Sequence, residues 1–403
     1  MPRPPSADRI CIQPDIIRQS PTRPSTPPIE LSAVWQCDSP DQADRMLGGH
    51  EFGYVYQRDG HPNADQLAER IAALHGAETA MVHSSGMASL AAALLSQTQH
   101  GDHLVVSNQL YGRSSLLLED EAQRMGIRHT LVDITDLAAV EAAITPQTRM
   151  VVVETLANPM LRCANIPELA KLTHAAGALL LVDNTFATPA LCQPLRWGAD
   201  LVMESVSKMM NGHGDVMLGA LCGSADLWER VPRVTAAWGL ASGPFECWLG
   251  ARGLATLPLR MQRACENALA VAEALSGPQG GPVVERVDYP GLKTHPDHDL
   301  VRELCGGKFG SIVTFRLRGG RTAAEAMIER ARSTLPFCPS LGELATTLSH
   351  PQSTSHRGLS EPQRQALGID GGTIRLSCGL EQSNELIDLV WDAIGVSERN
   401  PEA

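Results

Sequence analysis

Ala178-Leu-Leu-Leu-Val-Asp183 is an apolar run that ends in an acid, and Ser205-Val-Ser-Lys208-Met-Met-Asn-Gly-His213 follows it along the chain. The first stretch is typical of a buried strand in a parallel sheet. The second sets a lysine among hydroxyl-bearing and small residues. Most lysines are solvated surface charges, but an acid at a strand end upstream of Lys208 suggests an aldehyde cofactor. Lysine forms a Schiff base with pyridoxal phosphate, and an acid pairs with the pyridinium nitrogen of that cofactor.

Bulk composition bounds the class of protein. Of the 403 residues, 43% are hydrophobic and 19% are charged, which is typical of a soluble globular protein of about two or three domains. The net charge of −12 argues against nucleic acid and anionic membranes as partners. No apolar run approaches the roughly 20 residues that span a bilayer, and the N-terminus lacks the apolar core of a signal peptide.

The ten cysteines are scattered along the chain. They form no C-x-x-C pair and no Cys/His cluster at zinc spacing, so we expect no metal site. This pattern favours reduced thiols in a cytoplasmic protein.

An N-terminal arm is predicted for residues 1–62. Its first part, to about residue 30, is rich in Pro, Ser and Arg, which indicates an extended or disordered segment. A helix is then predicted to begin at Asn63, which can cap it, and Gln66 three residues later completes a capping-box pattern. The buried stripe of this helix comprises Leu67, Ile71 and Leu74.

Short apolar strands and helices alternate over residues 63–255. The predicted strands are 80–83, 103–107, 149–154, 179–182 and 201–203, and the predicted helices are 87–95, 115–125 and 166–176. This order indicates an α/β fold, with a mainly parallel central sheet and helices on both faces. Ligands in such sheets bind beyond the carboxyl ends of the strands, where Asp183 lies. A long helix over 257–275 and two alternating strands, 311–316 and 373–377, predict a smaller α+β domain over residues 256–403.

Ser84-Ser-Gly-Met87 lies between a predicted strand and a predicted helix. Glycine lets a backbone approach an anion closely, and a helix N-terminus offers free N–H groups, so this turn suits the cofactor phosphate. Ser205 and Ser207 offer further donors to it. Turns of small residues between a strand and a helix are widespread, so this feature is weak evidence without Lys208.

Two further side chains suit the same site. Tyr111 follows a predicted strand, where its ring can stack on the pyridine and act in proton transfer, although an amphipathic Tyr at a sheet edge would otherwise be an equal alternative. Arg375 offers a planar guanidinium for an amino acid's α-carboxylate, although an Arg on an alternating strand is usually solvated. Asp183 alone would be interpreted as an ordinary turn or capping aspartate.

Together these motifs resemble the Cys/Met-metabolism, or trans-sulfuration, family of fold-type I pyridoxal-phosphate enzymes. The family includes cystathionine γ-synthase, cystathionine γ-lyase, cystathionine β-lyase, methionine γ-lyase and O-acetylhomoserine sulfhydrylase. The resemblance runs from about Tyr54 to the C-terminus. Its segments are Tyr56-Gln-Arg58, Ser85-Gly-Met87, Tyr111-Gly112, Glu154-Thr-Leu-Ala-Asn-Pro159, Val182-Asp-Asn-Thr-Phe186, Ser205-Val-Ser-Lys208, Asn211-Gly-His213 with Asp215, Arg252-Gly-Leu-Ala-Thr-Leu257, Tyr289-Pro-Gly-Leu292, Ser340-Leu-Gly342 and Arg375-Leu-Ser-Cys-Gly-Leu-Glu381.

The resemblance implies how the cofactor is held. Lys208 would bind pyridoxal phosphate covalently, Asp183 would pair with its ring nitrogen, and Tyr111 would stack on the ring. Asn158 would lie near the cofactor hydroxyl. The residues that would contact the phosphate are Gly86, Met87, Ser205 and Ser207, together with Tyr56 and Arg58 of a neighbouring subunit.

The resemblance also implies the substrate site and the assembly. Ser340 and Arg375 would hold the carboxylate of a small amino-acid substrate, while Lys208 and Tyr111 would transfer protons. The active unit of the family is a dimer, and tetramers are usual, so we expect a homo-oligomer.

The sequence departs from the family pattern around the substrate rather than around the cofactor. Arg113 stands where the family usually has a small residue or a reactive cysteine, which counts against a methionine γ-lyase. Pro339 precedes Ser340, and Leu341-Gly-Glu-Leu-Ala-Thr-Thr347 replaces the usual Leu-Gly-Gly followed by Glu-Ser. His61-Pro-Asn63 replaces Asn-Pro-Thr. We hypothesise that Arg113 supplies a second cation for a distal carboxylate of the substrate.

The expected activity is that of a cystathionine γ-synthase or γ-lyase, which is γ-replacement or γ-elimination on sulfur amino acids or an activated homoserine. The alternatives are cystathionine β-lyase, a γ-replacement like that of O-acetylhomoserine sulfhydrylase, and a non-catalytic protein that keeps the fold for binding. Intact Lys208, Asp183, Tyr111 and Arg375 argue against the last alternative.

Overall fold

Seven strands form the larger of two β-sheets. The computed structural model describes residues 21–396, so residues 1–20 of the predicted N-terminal arm lie outside the described part. The strands are β1 Thr79–His83, β2 His103–Ser107, β3 Arg128–Val132, β4 Thr148–Glu154, β5 Leu179–Asp183, β6 Leu201–Glu204 and β7 Gly219–Gly223. Their order across the sheet is β1-β7-β6-β5-β4-β2-β3. Strand β7 is antiparallel to both of its neighbours and the other pairs are parallel, which confirms a mainly parallel sheet.

Helices cover both faces of this sheet. Val151 of β4 packs in one buried cluster with Leu67, whereas the next residue, Val152, packs in a second cluster with Leu90, because successive strand residues point to opposite faces. The α-helices are α1 Pro40–Leu47, α2 Pro62–His75, α3 Gly86–Gln97, α4 Gly112–Leu116, α5 Ala122–Arg124, α6 Leu137–Ala143, α7 Ile166–Ala175, α8 Thr188–Leu191, α9 Val231–Trp238, α10 Pro244–Leu254, α11 Leu257–Ser276, α12 His298–Leu304, α13 Gly320–Arg330, α14 Glu361–Ala366 and α15 Ser383–Ile394.

The predicted strands of this sheet are confirmed, and β3 and β7 were not predicted. Strand β3 lies at the sheet edge and is largely exposed, so it carries no continuous apolar run. Strand β7 begins and ends with glycine. The helix predicted over 115–125 is instead divided into α4, a π-helical turn at Leu117–Glu121 and α5.

The predicted start of the second helix is wrong. Helix α2 begins at Pro62, and its N-cap is His61, whose Nδ1 accepts from the backbone N–H of Ala64 at 3.2 Å. Proline at the first helical position needs no hydrogen-bond partner for its nitrogen and already has a helical φ. Asn63 is therefore inside the helix and free for another task. Its side chain accepts from the Glu30 N–H at 2.9 Å and donates to the Pro28 carbonyl at 2.8 Å.

A second, antiparallel sheet follows. Its strands are β8 Val284–Asp288, β9 Ile312–Leu317, β10 Thr347–Ser349 and β11 Thr373–Ser377, in the order β10-β11-β9-β8. Helix α11 packs against β8, β9 and α15, which gives the smaller α+β unit that the alternating pattern predicted. The boundary at residue 255 stays a prediction. Within residues 21–396, no helix is long and apolar enough to cross a membrane.

We expect Asn63→Ala to release the segment around Pro28 without shortening α2. Asn63 is only 2% exposed, so its loss leaves the Glu30 N–H and the Pro28 carbonyl without their partner, at a cost of about 1–3 kcal/mol in the free energy of unfolding. Thermal unfolding and limited proteolysis mapped over residues 21–60 measure this. The control is Gln66→Ala, which we expect to change stability by less than about 0.5 kcal/mol. Equal effects of the two substitutions would contradict the assignment of Asn63.

Candidate active site

A cavity of about 1050 Å³ opens at the carboxyl ends of β4, β5 and β6. Glu154 ends β4, Asp183 ends β5, and Ser205 follows β6; all three line the cavity. Residues of the smaller unit close the opposite side, where Ser340, in the segment before β10, and Arg375, on β11, line the same cavity. The site thus lies where the sequence predicted it, beyond the carboxyl ends of parallel strands.

The amine of Lys208 faces the second sheet. Its Nζ donates to the Ser340 hydroxyl at 2.9 Å. Burial, followed by the positive charge of Arg375, lowers the pKa of Lys208, while Glu343 opposes that shift. A lowered pKa increases the neutral fraction of the amine, which is the form that attacks an aldehyde or takes a proton.

Asp183 is the buried acid of the site. Its carboxylate accepts from the Thr185 N–H at 3.0 Å. Burial raises its pKa to about 6; hydrogen bonds from Thr185 oppose the shift, and the nearby Glu204 adds to it. A cation bound beside Asp183 would favour the ionised form of this carboxyl group and so lower its pKa.

The N-terminus of α3 forms one end of the cavity. Ser85 caps this helix and accepts from the Ala88 N–H at 3.1 Å, and Ser85, Gly86 and Met87 all line the cavity. Gly86 lies against Ser205 so closely that a Cβ atom added there would be 2.9 Å from the Ser205 Cβ. The first N–H groups of a helix have no partner within it, so this end suits an anion.

Ser207 also lines the cavity, but its hydroxyl is engaged. It donates to the Leu218 carbonyl at 3.0 Å and accepts from the Leu218 N–H at 2.9 Å. A serine hydroxyl has a single hydrogen, so Ser207 would have to release Leu218 before donating to a phosphate. Its predicted phosphate contact stays a prediction.

Glu154 organises two predicted site residues, although the sequence analysis gave it no role of its own. Its carboxylate accepts from the Tyr111 N–H at 2.6 Å and from the Asn158 N–H at 3.1 Å. Burial and the neighbouring Asp183 raise its pKa. Glu154 carries the same sequence signal as Asp183, because both are acids at the carboxyl end of a predicted strand. The ring of Tyr111 is 41% exposed on the cavity wall.

Arg375 is a buried guanidinium whose Nε has no hydrogen-bond partner among the described residues. It donates to the Asn158 side-chain oxygen at 2.9 Å and to the Ser340 carbonyl at 3.0 Å. Arg375 is only 3% exposed. Burial lowers its pKa to about 10. A buried guanidinium that retains an unpaired donor is suited to an incoming carboxylate.

A second residue without a predicted role is His356. It is 2% exposed and lines the cavity, and its Nδ1 is hydrogen-bonded to the Ser355 hydroxyl at 2.8 Å. Burial and the charge of Arg375 lower its pKa to about 4. It lies in the loop before α14, where no periodic pattern marked it.

Three predicted residues lie farther from the buried centre. Arg113 lines the cavity and is exposed. Tyr56 and Arg58 do not line the cavity of their own chain; the Arg58 guanidinium lies 4.8 Å from the centre of the Tyr56 ring. The structure thus brings together the predicted residues other than Tyr56 and Arg58. The family resemblance assigned those two residues to the site of a neighbouring subunit.

The donor set fits pyridoxal phosphate. An amine of lowered pKa, a buried carboxyl group, an exposed aromatic ring and a helix N-terminus line one cavity. These are the partners that the aldehyde, the pyridine nitrogen, the ring face and the phosphate of that cofactor require.

Comparisons with known proteins agree with this site. The sequence profile of the Cys/Met metabolism PLP-dependent enzymes matches residues 9–394. O-succinylhomoserine sulfhydrylase of Pseudomonas aeruginosa is 41% identical over 85% of this chain and 84% of its own. Cystathionine gamma-synthase of Mycobacterium tuberculosis is 40% identical over 87% of this chain and 88% of its own.

A solved structure shows the same fold. The putative O-acetylhomoserine (thiol)-lyase of Campylobacter jejuni was solved with N'-pyridoxyl-lysine-5'-monophosphate in its chain. It has a TM-score of 0.88 and 29% identity, and the match covers 94% of this chain and 97% of that one. The chain therefore belongs to the Cys/Met metabolism PLP-dependent enzymes, a family of C–S lyases and γ-replacement enzymes, with pyridoxal phosphate as its cofactor.

Proposed function

We propose that the enzyme carries out γ-replacement or γ-elimination on sulfur amino acids or an activated homoserine, as a cystathionine γ-synthase or γ-lyase. One observation carries the assignment of roles. The Lys208 amine is 2.9 Å from the Ser340 hydroxyl, and the carbonyl of the same Ser340 accepts from Arg375. A substrate whose carboxylate is held by Arg375 and Ser340 therefore has its Cα next to the Lys208 amine.

Each residue then has a defined task. Bound pyridoxal phosphate supplies the electron sink for the carbanion at Cα. Arg375 binds the substrate carboxylate through its free Nε donor, and Asn158 keeps the guanidinium in place. Lys208 takes the Cα proton, which its lowered pKa favours. Asp183 would pair with the ring nitrogen and keep it protonated, because a positive charge beside this buried carboxyl group favours its ionised form.

Loss of a γ-substituent needs further proton transfers beyond Cα. Lys208 and Tyr111 line the same cavity, and Glu154 fixes the backbone of Tyr111 at 2.6 Å, so two groups are placed to move protons. A β-lyase breaks the Cβ–S bond directly after the Cα proton is lost, so it needs no proton transfer at Cβ. The 40% identity to a relative named cystathionine gamma-synthase, and the 41% identity to one named for an activated homoserine, support γ-replacement over the β-lyase alternative.

The assembly and the location belong to the same proposal. Tyr56 and Arg58 are exposed and lie away from their own cavity, which is the position required if they complete the phosphate site of a neighbouring subunit. We therefore expect a dimer as the active unit, within a homotetramer. The nine cysteines among residues 21–396 are free thiols, which supports a cytoplasmic location.

The first test is product identification with purified enzyme and added pyridoxal phosphate. A γ-lyase releases cysteine and 2-oxobutanoate from L-cystathionine, and a synthase forms cystathionine from an activated homoserine and cysteine. Lys208→Ala should lose the visible absorbance of lysine-bound cofactor, and kcat should fall at least about 10³-fold, because base and covalent anchor are both removed. Homocysteine and pyruvate as products would move the assignment to β-lyase. A wild-type protein without the absorbance band would refute the cofactor role of Lys208.

Arg113 is tested by Arg113→Ala. If it binds a distal carboxylate, we expect KM to rise about 3- to 10-fold with kcat within about twofold, since an exposed cation contributes modestly to substrate binding. Steady-state kinetics with cystathionine and with cysteine measure this. Arg124→Ala, which removes an exposed guanidinium outside the cavity, is the control. Unchanged KM values for both substrates would exclude this role for Arg113.

We expect Glu343 to influence the lowest pH at which Lys208 still reacts with pyridoxal phosphate. Its negative charge favours the ammonium form of Lys208 and so raises the pKa of that amine. Glu343→Gln removes this effect, so the pKa of Lys208 falls and the neutral amine persists to lower pH. We therefore expect apoenzyme of the Glu343→Gln variant to bind added pyridoxal phosphate at its full rate down to a lower pH than the wild-type apoenzyme does. Glu385→Gln, on the outer part of α15, should leave the profile unchanged. A shift toward higher pH would contradict the sign of this interaction.

A further inference from the structure

The turn that carries Lys208 has buried carbonyl groups at its end. Lys208 donates from its backbone N–H to the Ser205 carbonyl at 3.0 Å, and its own carbonyl accepts from the Gly212 N–H at 2.8 Å. Met209 and Met210 follow it at 2% and 0% exposure. A buried carbonyl needs a donor, and water does not reach these two.

Arg260 supplies those donors. It lies on α11, the first helix after residue 255, and is 7% exposed. Its guanidinium donates to the Met209 carbonyl at 2.6 Å and to the Met210 carbonyl at 2.8 Å. It also donates to the Gly253 carbonyl at 2.8 Å and, through Nε, to the Thr256 hydroxyl at 3.0 Å. One rigid fork thus joins the two residues after Lys208 to the end of α10 and the start of α11.

None of these four acceptors is charged. Among residues 21–396, no carboxylate forms an ion pair with Arg260, so the guanidinium is not there to neutralise an acid. Burial lowers its pKa to about 10. Burying a cation without a counter-ion costs free energy. A lysine at this position would not reproduce the hydrogen-bonding geometry of the guanidinium.

Three glycines leave room for this arrangement. A Cβ atom at Gly212 would collide with the Arg260 guanidinium, and one at Gly253 would collide with Asn211. A Cβ atom at Gly342 would be 2.5 Å from the Met209 nitrogen. The turn after Lys208 therefore packs closely against the backbone at Gly342 and against Arg260, and a side chain at any of these glycines would disturb the contact.

We propose that Arg260 is a positioning residue for the reaction, which sets the place of the Lys208 amine by fixing the carbonyls of Met209 and Met210. This rests on the proposed role of Lys208. A displacement of about 1 Å at a catalytic group can cost roughly 100-fold in rate, even when the substituted residue does not touch the substrate. Arg260 does not line the cavity, so it would act on the reaction only through the placement of Lys208.

Arg260→Lys and Thr256→Val test the proposal, with Arg263→Lys as the matched control. Arg263 lies on the same helix and donates to Glu381 and Gln382, away from Lys208. We expect Arg260→Lys to lower kcat by about 10- to 100-fold with KM within about threefold. The pH midpoint of the lysine-bound cofactor absorbance should move in the same variant. Thr256→Val, which removes one acceptor and keeps the guanidinium, should shift both readouts in the same direction by less.

The competing explanation is that Arg260 only stabilises the fold. In that case Arg260→Lys lowers the melting temperature, while its folded, cofactor-loaded fraction keeps the wild-type kcat and absorbance midpoint; this result overturns the proposal. If Arg260→Lys does not fold, the Thr256→Val variant tests the proposal instead. A wild-type kcat and a wild-type absorbance midpoint in that variant would overturn it. Wild-type enzyme and Lys208→Ala are measured alongside. A Lys208-dependent band in wild type with no Arg260 effect refutes this inference alone, whereas absence of the band refutes the role of Lys208 as well.

Discussion

A buried arginine joins the two sheets at the site. Arg375 comes from β11 of the smaller sheet, and its guanidinium donates to Asn158, which follows β4 of the larger one. The Ser340 carbonyl accepts from the same group, and the Ser340 hydroxyl accepts from Lys208. In the proposed roles, one side chain therefore relates the substrate carboxylate, the base and the cofactor partners to one another. A lysine at this position would lack the rigid planar fork that fixes the directions of its acceptors.

The buried charges of the site are arranged to be completed by ligands. Glu154 and Asp183 end adjacent strands and are paired as neighbours in the sheet. Burial raises the pKa of both, and repulsion from Asp183 adds to the shift of Glu154, whereas repulsion from Glu204 adds to that of Asp183. Arg375 and Lys208 face them with lowered pKa values. Burial shifts each of these groups toward its neutral form, and an incoming partner of opposite charge would favour the charged form instead. Polar groups arranged in advance in this way cost no reorganisation during the reaction.

Much of this was predictable from the sequence, and the failures have physical causes. Apolar strands such as β5 and the acid at its end identify the larger sheet and its ligand edge, because fully buried parallel strands have no polar face. Edge strand β3 escaped detection because it is exposed. Asn63 was misassigned because a capping preference is local, whereas its real partners lie in the arm, more than 30 positions earlier. His356 lies beside Arg375, and Arg260 beside Met209 and Met210, through the packing of segments that are distant in the chain, which no local pattern encodes.

The tie between Arg375 and Asn158 spans 217 positions of the chain, and that between Lys208 and Ser340 spans 132. Contacts of such long sequence separation form only after the intervening chain has been organised, because loop closure must precede them. During synthesis, all seven strands of the larger sheet, with Lys208 and Asp183, leave the ribosome before Ser340 and β11 do. The lysine thus emerges before both its hydroxyl partner and the arginine beside it, and the cavity wall that holds Ser340 and Arg375 forms only once those later segments have been made.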